Sequence, residues 1–180
     1  SCEGWIIGAE EKKMGIKGSS TCSMFFENCK VPIENVLGQV GEGGHIALNV
    51  LYAGRWKLGF SSAAGCKTGI KIAYDFSLDR KQFSRSISSF GMIQNKFAKM
   101  IVKAWESDTL NYATTGSIDH TIATLDKNDS NYYAKMQKII EDHAIEASIC
   151  KVLGSEALAF CADEGVQIFG GAGFIEEYPV

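Results

Sequence analysis

The chain has 180 residues, of which 46% are hydrophobic and 22% are charged, and its formal net charge is −3 with a pI near 5.6. That composition is typical of a globular protein with a buried core. The acidic balance excludes a nucleic-acid-binding protein with a basic face, and no run of 18 apolar residues predicts a membrane span.

The first part of the chain has a β pattern. Short β-prone runs occur at residues 5–7 and 22–26, separated by glycines and charged residues. Pro32 ends pairing in a central strand. A glycine-rich junction follows at residues 41–44, so we place a domain boundary between about residues 36 and 44. The chain lacks an initiator methionine, and we therefore expect its true amino terminus upstream.

After this junction apolar residues recur with a period near 3.6, which indicates helices. The predicted helices cover about residues 46–79, 93–119 and 132–168. A loop containing Phe83 and a polar turn at residues 126–131 connect them, so the sequence predicts an antiparallel bundle. Small residues such as Gly154 in the third helix would let neighbouring helices approach closely. A fourth helix is needed to close such a core, and we expect the chain to be truncated after Val180.

The cysteines and histidines give no sign of a metal site. The six cysteines form no C-x-x-C pair, and the three histidines are scattered. We interpret all the cysteines as reduced, buried, small apolar residues of an intracellular protein, with disulfides or metal ligands as the alternatives. They are Cys2, Cys22, Cys29, Cys66, Cys150 and Cys161.

Glycines cluster at the end of the third predicted helix, in the segment from Gln167 to Phe174. Three of the four residues 170–173 are glycine. Glycine permits positive φ and lets a ligand approach the backbone closely. A helix C-cap followed by a turn is the alternative, although one glycine would suffice for it. The segment is neither a P-loop nor a dinucleotide fingerprint of the Rossmann type.

A basic segment, Asp79-Arg80-Lys81-Gln82-Phe83, lies between the first two helices. Arginine offers a planar fork of donors suited to pyrophosphate, and an aromatic neighbour can pack on a ring. On the residues alone, however, a solvated helix end is the simpler interpretation, in which the positive charge of Arg80 interacts favourably with the negative end of the helix dipole.

Gly54 lies inside the first helix, within Tyr52-Ala53-Gly54-Arg55. A glycine there costs about 1 kcal/mol relative to alanine, so it makes room for something. Tight helix packing is the simpler reason, and room for a ligand is the alternative.

Four motifs in order and spacing resemble the acyl-CoA dehydrogenase family, most closely its very-long-chain branch and the bacterial relatives of that branch. The resemblance covers essentially the whole chain. The motifs are Glu11 to Ser19, Val31-Pro32 with Asn35 to Gly38, Arg80-Lys81-Gln82-Phe83 with Phe90 to Gln94, and Gln167 to Phe174.

The resemblance implies a mainly α fold. Residues 1–36 would be the end of a middle β domain, and residues 37–180 most of a C-terminal helical bundle. It implies FAD as cofactor, with its adenosine-pyrophosphate end held by a neighbouring subunit of a homodimer or homotetramer. The cofactor-binding residues implied are Arg80, Gln82, Phe83, Gln167, Ile168, Phe169, Gly170 and Gly171. A glutamine of the family is replaced here by Gly91.

The resemblance also implies α,β-dehydrogenation of fatty acyl-CoA thioesters, as in fatty acid β-oxidation, with electrons passed to an electron-transfer flavoprotein. Arg55 matches a residue that contacts the CoA part of the substrate, and Tyr52 stands where many relatives have aspartate. Gly54 occupies one position of the catalytic glutamate and cannot act as a base. We therefore expect the base downstream of Val180, no catalytic residue in this chain, and no activity from the chain alone.

Two other functions are compatible with the sequence. One is a non-catalytic helical protein of the kind that serves respiratory complex assembly, and the other is an acyl-CoA oxidase. Bacterial cytoplasm and mitochondrial matrix are both compatible locations.

Overall fold

A computed structural model describes residues 3–179, which fall into two compact units that divide between Gly44 and His45. The first unit contains an antiparallel pair of strands, β1 (Trp5–Glu10) and β2 (Cys22–Phe26), followed by a short 3-10 helix at Ile33–Asn35. The pairing is irregular between Ile7 and Glu10. The assignment of this unit to a middle β domain stays a prediction.

The second unit is helical, and the predicted fold class is confirmed. Its helices are α1 (Gly43–Asp79), α2 (Gly91–Ala123), α3 (Tyr132–Asp142) and α4 (Ala144–Phe169). A two-stranded hairpin, β3 (Lys81–Gln82) and β4 (Arg85–Ser86), lies between α1 and α2.

Side-chain contacts give the direction of each helix. Trp56 in the first half of α1 donates to Thr115 at 3.0 Å, and Tyr74 in the second half packs on Phe97, so α2 runs antiparallel to α1. Helix α4 runs antiparallel to α2 and therefore parallel to α1, because Cys150 contacts Thr114 and Cys161 contacts Met100. The buried residues between these three helices form one core, which contains Cys66, Ala73, Phe97, Met100, Ala104, Ala157, Cys161, Ile168 and Phe169.

The third predicted helix was wrong in one respect, since it is broken at His143. The backbone of His143 leaves helical geometry, with φ −97° and ψ 19°. Its ring bridges two elements, because Nδ1 lies 2.8 Å from the Ile139 carbonyl oxygen and Nε2 lies 3.0 Å from Ser117 Oγ. These hydrogen bonds stabilise a break in the helix at His143, which the hydrophobic periodicity of the sequence cannot reveal.

Small residues bring α1 and α4 into close contact, as the sequence indicated for Gly154. A Cβ on Gly154 would lie 3.1 Å from the Cα of Gly59. Gly54 is different, because it is exposed and, apart from the adjacent backbone of its own helix, no described atom lies within 4 Å of its Cβ position. Helix packing was therefore the wrong reason for Gly54 within the described part of the chain.

The cysteine interpretation is confirmed for Cys66, Cys150 and Cys161, which are free and buried. Cys22 is free but only half-buried, and the interpretation was wrong for Cys29, which is disulfide-bonded. Cys2 lies outside the described residues. Burial of Cys161 removes its thiolate from water and raises its pKa to about 12.

Among residues 3–179, no helix combines the length and the hydropathy that a membrane crossing requires. The same residues contain no group of three or more metal-ligating side chains.

Candidate functional site

The hairpin after α1 begins as a continuation of the helix. The backbone N–H of Arg80 donates to the Phe76 carbonyl at 2.9 Å, as in a further helical turn. The Arg80 carbonyl then accepts from the N–H of Ile87 at 2.9 Å, and Ser86 Oγ donates to the Leu78 carbonyl at 2.7 Å. A backbone hydrogen bond at Arg80 and a side-chain hydrogen bond from Ser86 thus fix the hairpin to the end of α1. The segment was predicted to be a loop, because its turn lacks the glycine or asparagine that signals a tight hairpin.

The turn of the hairpin is strained. Phe83 and Ser84 have φ values of 50° and 66°, in the left-handed region that a type I′ turn requires. A bulky residue rarely adopts this conformation. Phe83 is nevertheless held there with 87% of its surface exposed. Strain of this kind concentrates at functional positions.

The hairpin register decides which side chains share a face. Gln82 pairs with Arg85 and Lys81 with Ser86. The Arg80–Ile87 hydrogen bond extends the same register by one residue. Because opposed residues point to the same face and neighbours alternate, Arg80, Gln82 and Arg85 share one face, opposite to Lys81.

The end of α4 is closed by Gly170, which has φ 61° and ψ −132° and donates its N–H to the Gln167 carbonyl. Glycine adopts this conformation without a steric cost. The side chains of Ile168 and Phe169 are buried in the core, so these two residues can meet a ligand only through their backbone. Gln167 is exposed.

Two further glycines at this end differ in their surroundings. A Cβ on Gly173 would lie 2.7 Å from the Val166 carbonyl oxygen, so the fold itself requires glycine there. Gly171 has ordinary φ and no described atom within 4 Å of its Cβ position. The open space above Gly171 leaves its backbone accessible to a ligand.

An aromatic stack brings the two predicted cofactor segments to the same end of the bundle. The rings of Phe76 and Phe169 are stacked with centroids 3.9 Å apart. Phe76 is one turn, about 6 Å along the axis, before Arg80, and Phe169 directly precedes Gly170.

The polar groups at this end are available to a ligand. Among the described residues, the side chains of Arg80, Gln82 and Gln167 make neither a hydrogen bond nor an ion pair. The site therefore offers a guanidinium, two amides and an open glycine backbone, a donor set that suits a phosphate-containing ligand.

A second site lies roughly 35 Å away along α1, since Arg55 precedes the end of the helix by 24 residues. The guanidinium of Arg55 donates to Ser148 Oγ at 3.1 Å and lies 5.5 Å from the centre of the Tyr52 ring. No carboxylate in the described part of the chain pairs with Arg55. The structure thus brings Tyr52 and Arg55 together and keeps them apart from Arg80.

Comparison with known families identifies the class of this domain. The family model of the acyl-CoA dehydrogenase C-terminal domain matches residues 41–180. The chain therefore belongs to the acyl-CoA dehydrogenase family, which confirms the resemblance seen in the sequence.

The similar proteins include members of the very-long-chain branch. The chain is 39% identical over 177 residues to a probable acyl-CoA dehydrogenase of Bacillus subtilis, covering 98% of this chain and 30% of that protein. It is 38% identical over 170 residues to the mitochondrial very long-chain specific acyl-CoA dehydrogenase of Rattus norvegicus, covering 94% of this chain and 23% of that protein.

A solved structure gives the same result. The acyl-CoA dehydrogenase complexed with FAD from Bacillus anthracis matches with a TM-score of 0.89 and 40% identity, over 99% of this chain and 31% of that one. The chain thus spans about a third or less of the length of these relatives.

Proposed function

We propose that this chain is part of an FAD-dependent acyl-CoA dehydrogenase that converts fatty acyl-CoA thioesters to trans-2-enoyl-CoA in β-oxidation. Residues 1–36 would close a middle β domain, and residues 37–180 would form most of the helical domain. When bound, FAD would supply the acceptor for the hydride that leaves the β-carbon. The base that removes the α-proton would lie outside this chain, because Gly54 has no side chain that can take a proton.

The observation that supports the cofactor site most is the stack of Phe76 on Phe169, because it joins the ends of α1 and α4. The residues there fit a dinucleotide. Arg80 would bind the pyrophosphate with its planar fork of donors. Gln82 and Gln167 would donate from their amides, Phe83 would pack on a ring, and the glycine turn would approach the ligand with its backbone. As in the resemblance, the FAD held here would be that of a neighbouring subunit in a homodimer or homotetramer.

The proposed substrate contact is Arg55. Its hydrogen bond to Ser148 and its position over the Tyr52 ring hold the cation in one place. A half-buried guanidinium that pairs with no carboxylate of the described residues suits the phosphates of CoA. An electron-transfer flavoprotein would accept the electrons, and bacterial cytoplasm or mitochondrial matrix would be the location.

Purification of the complete protein that contains this chain tests the proposal. We expect a yellow protein whose flavin absorbance is bleached anaerobically by a long-chain acyl-CoA. A colourless protein that does not respond would contradict the proposal and favour the assembly protein. Rapid reoxidation of the reduced flavin by oxygen would favour the oxidase.

Variants test the cofactor residues separately. Because charge-assisted hydrogen bonds contribute about 1.5–3 kcal/mol, we expect Arg80→Ala to weaken FAD binding by roughly 10- to 100-fold. The matched control is Lys127→Ala, which removes one positive charge from the α2–α3 loop and should leave FAD binding unchanged. Equal FAD affinities for the two variants would show that Arg80 is not part of the site.

A further inference from the structure

The hairpin carries a second arginine on the face that holds Arg80 and Gln82. We propose that Arg85 binds the same anionic group as Arg80, the pyrophosphate of the dinucleotide, so that two guanidinium groups hold it. This inference rests on the proposed function and adds a binding residue that neither the family motifs nor the sequence pattern indicated.

The register of the hairpin is the first line of support. Arg85 lies directly opposite Gln82, and Arg80 occupies the diagonal position on the same face. Diagonal neighbours in an antiparallel pair are roughly 7–8 Å apart, a separation that one pyrophosphate can bridge with two long side chains. A shift of the register by one residue would turn Arg85 away and bring Ser86 to this face.

A ring holds the second guanidinium in place. The Arg85 guanidinium carbon lies 4.0 Å from the centre of the Phe90 ring. Phe90 in turn packs edge-on against Phe83, with ring centroids 6.2 Å apart. Stacking occupies the flat face of a guanidinium and leaves the N–H groups at its edge free to donate. Arg85 therefore presents donors that are already oriented.

The charges of the hairpin favour an anion. Arg80 and Arg85 lie within six residues of chain on one face of the hairpin, and Asp79 is the only acidic residue beside them in sequence. Within residues 3–179, no carboxylate forms an ion pair with Arg80 or Arg85. Two like charges on one face repel each other, and the anionic pyrophosphate between them offsets that repulsion.

Arg85 could instead serve only to pack against Phe90, and one substitution distinguishes this packing role from pyrophosphate binding. Arg85→Met keeps an unbranched side chain of similar length against Phe90 but removes the charge and the donors. The matched control is Lys81→Met, which makes the same change on the opposite face of the hairpin. Both are made in the complete protein, and the FAD dissociation constant is measured by reconstitution of the apoprotein at low and high salt. Thermal unfolding of each apoprotein is recorded in parallel.

We expect Arg85→Met to weaken FAD binding by about tenfold at low salt, less at high salt, and without a loss of thermal stability in the apoprotein. Arg85→Lys should recover part of the affinity, and Lys81→Met should stay within about twofold of the unmodified protein.

If Arg85→Met binds FAD as Lys81→Met does while Arg80→Ala is impaired, the inference is wrong and the proposed function stands. If weakened binding is matched by early unfolding and is independent of salt, Arg85 has only a packing role. If Arg80→Ala also binds FAD normally, the proposed cofactor site itself fails.

Discussion

Phe76 and Phe169 stack face to face, with ring centroids 3.9 Å apart and planes inclined by only 12°. Tyr178 packs edge-on against both rings, at 6.3 and 5.9 Å. The three rings join the last turn of α1 to the last turn of α4, although the two residues are 93 positions apart in the chain. This contact brings the two halves of the candidate cofactor site together.

Loosening this stack should disturb cofactor binding from a distance. Phe169→Leu removes the ring but keeps an apolar side chain, so we expect a loss of about 0.5–1.5 kcal/mol of stability beyond the lost buried area. It should also weaken FAD binding several-fold, because the glycine turn would lose its fixed position relative to Arg80. The control is Phe160→Leu, the same change nine residues earlier on α4. Thermal unfolding and FAD titration of the complete protein measure both effects, and equal FAD affinities would argue against the role given to the stack.

Gly171 should matter for the ligand and not for the fold. No described atom lies within 4 Å of its Cβ position, so Gly171→Ala should change the free energy of unfolding by less than about 0.5 kcal/mol while it weakens FAD binding. Gly173→Ala is the contrasting variant, since its Cβ would meet the Val166 backbone and should lower stability first. Normal FAD binding by Gly171→Ala would remove the glycine turn from the proposed site.

Gly59 should be essential for helix packing. An added Cβ would overlap the Asn111 side chain and lie 3.0 Å from the Cys150 carbonyl oxygen. We expect Gly59→Ala to lower the free energy of unfolding by about 1–3 kcal/mol, as overpacking does. On the same helix, a Cβ at Gly69 would lie more than 4 Å from every described atom outside the adjacent helix backbone. We therefore expect Gly69→Ala to raise the free energy of unfolding by about 0.5–1 kcal/mol. Thermal unfolding of the two variants in parallel shows whether their stabilities change in opposite directions. A Gly59→Ala variant of unchanged stability would contradict the close approach of α1 and α4.

The proposed substrate arginine should act on binding more than on turnover. Arg55→Ala removes a charged contact to CoA, so we expect KM to rise roughly 10- to 100-fold with little change in kcat. Ser148→Ala removes the hydroxyl that holds Arg55 and should raise KM by a smaller factor. Steady-state kinetics of the complete protein with an acyl-CoA series measures both, with Lys57→Ala as the control on the same helix. A fall in kcat at unchanged KM would point to a different role for Arg55.

The buried thiol of Cys161 should make stability depend on alkaline pH. In the folded chain its pKa is raised to about 12, whereas in the unfolded chain a cysteine titrates near 8.5. Above that lower value the unfolded state binds fewer protons than the folded state, so the free energy of unfolding falls as pH rises towards 12.

Cys161→Ala should therefore reduce the fall of the free energy of unfolding with pH by up to about 1.4 kcal/mol per pH unit between pH 9 and 11. The control is Cys22→Ala, which removes a thiol that is only half-buried and lies outside the helical core. Denaturant unfolding at several pH values measures the slopes, and parallel curves for the two variants would contradict the assignment.

Local signals in the sequence determined the helical class, and they gave good estimates of where the helices lie. The first predicted helix ends at residue 79 in the structure as well, because a 3.6-residue period is a property of neighbouring residues alone. The break at His143 was missed because it depends on Ser117, which lies on another helix. The bond at Cys29 was missed because cysteine spacing does not reveal pairing.

The sequence by itself singled out Arg80, Arg55 and the glycines after Gln167 as candidates, since residue type and motif identify them, but it did not indicate Arg85. Only the tertiary structure decided which of them share a site. The stack of Phe76 on Phe169 and the register of the hairpin at residues 81–86 are contacts between distant residues or between opposed strands. Such contacts depend on how helices pack and how strands align, and neither is encoded in the period of a single segment.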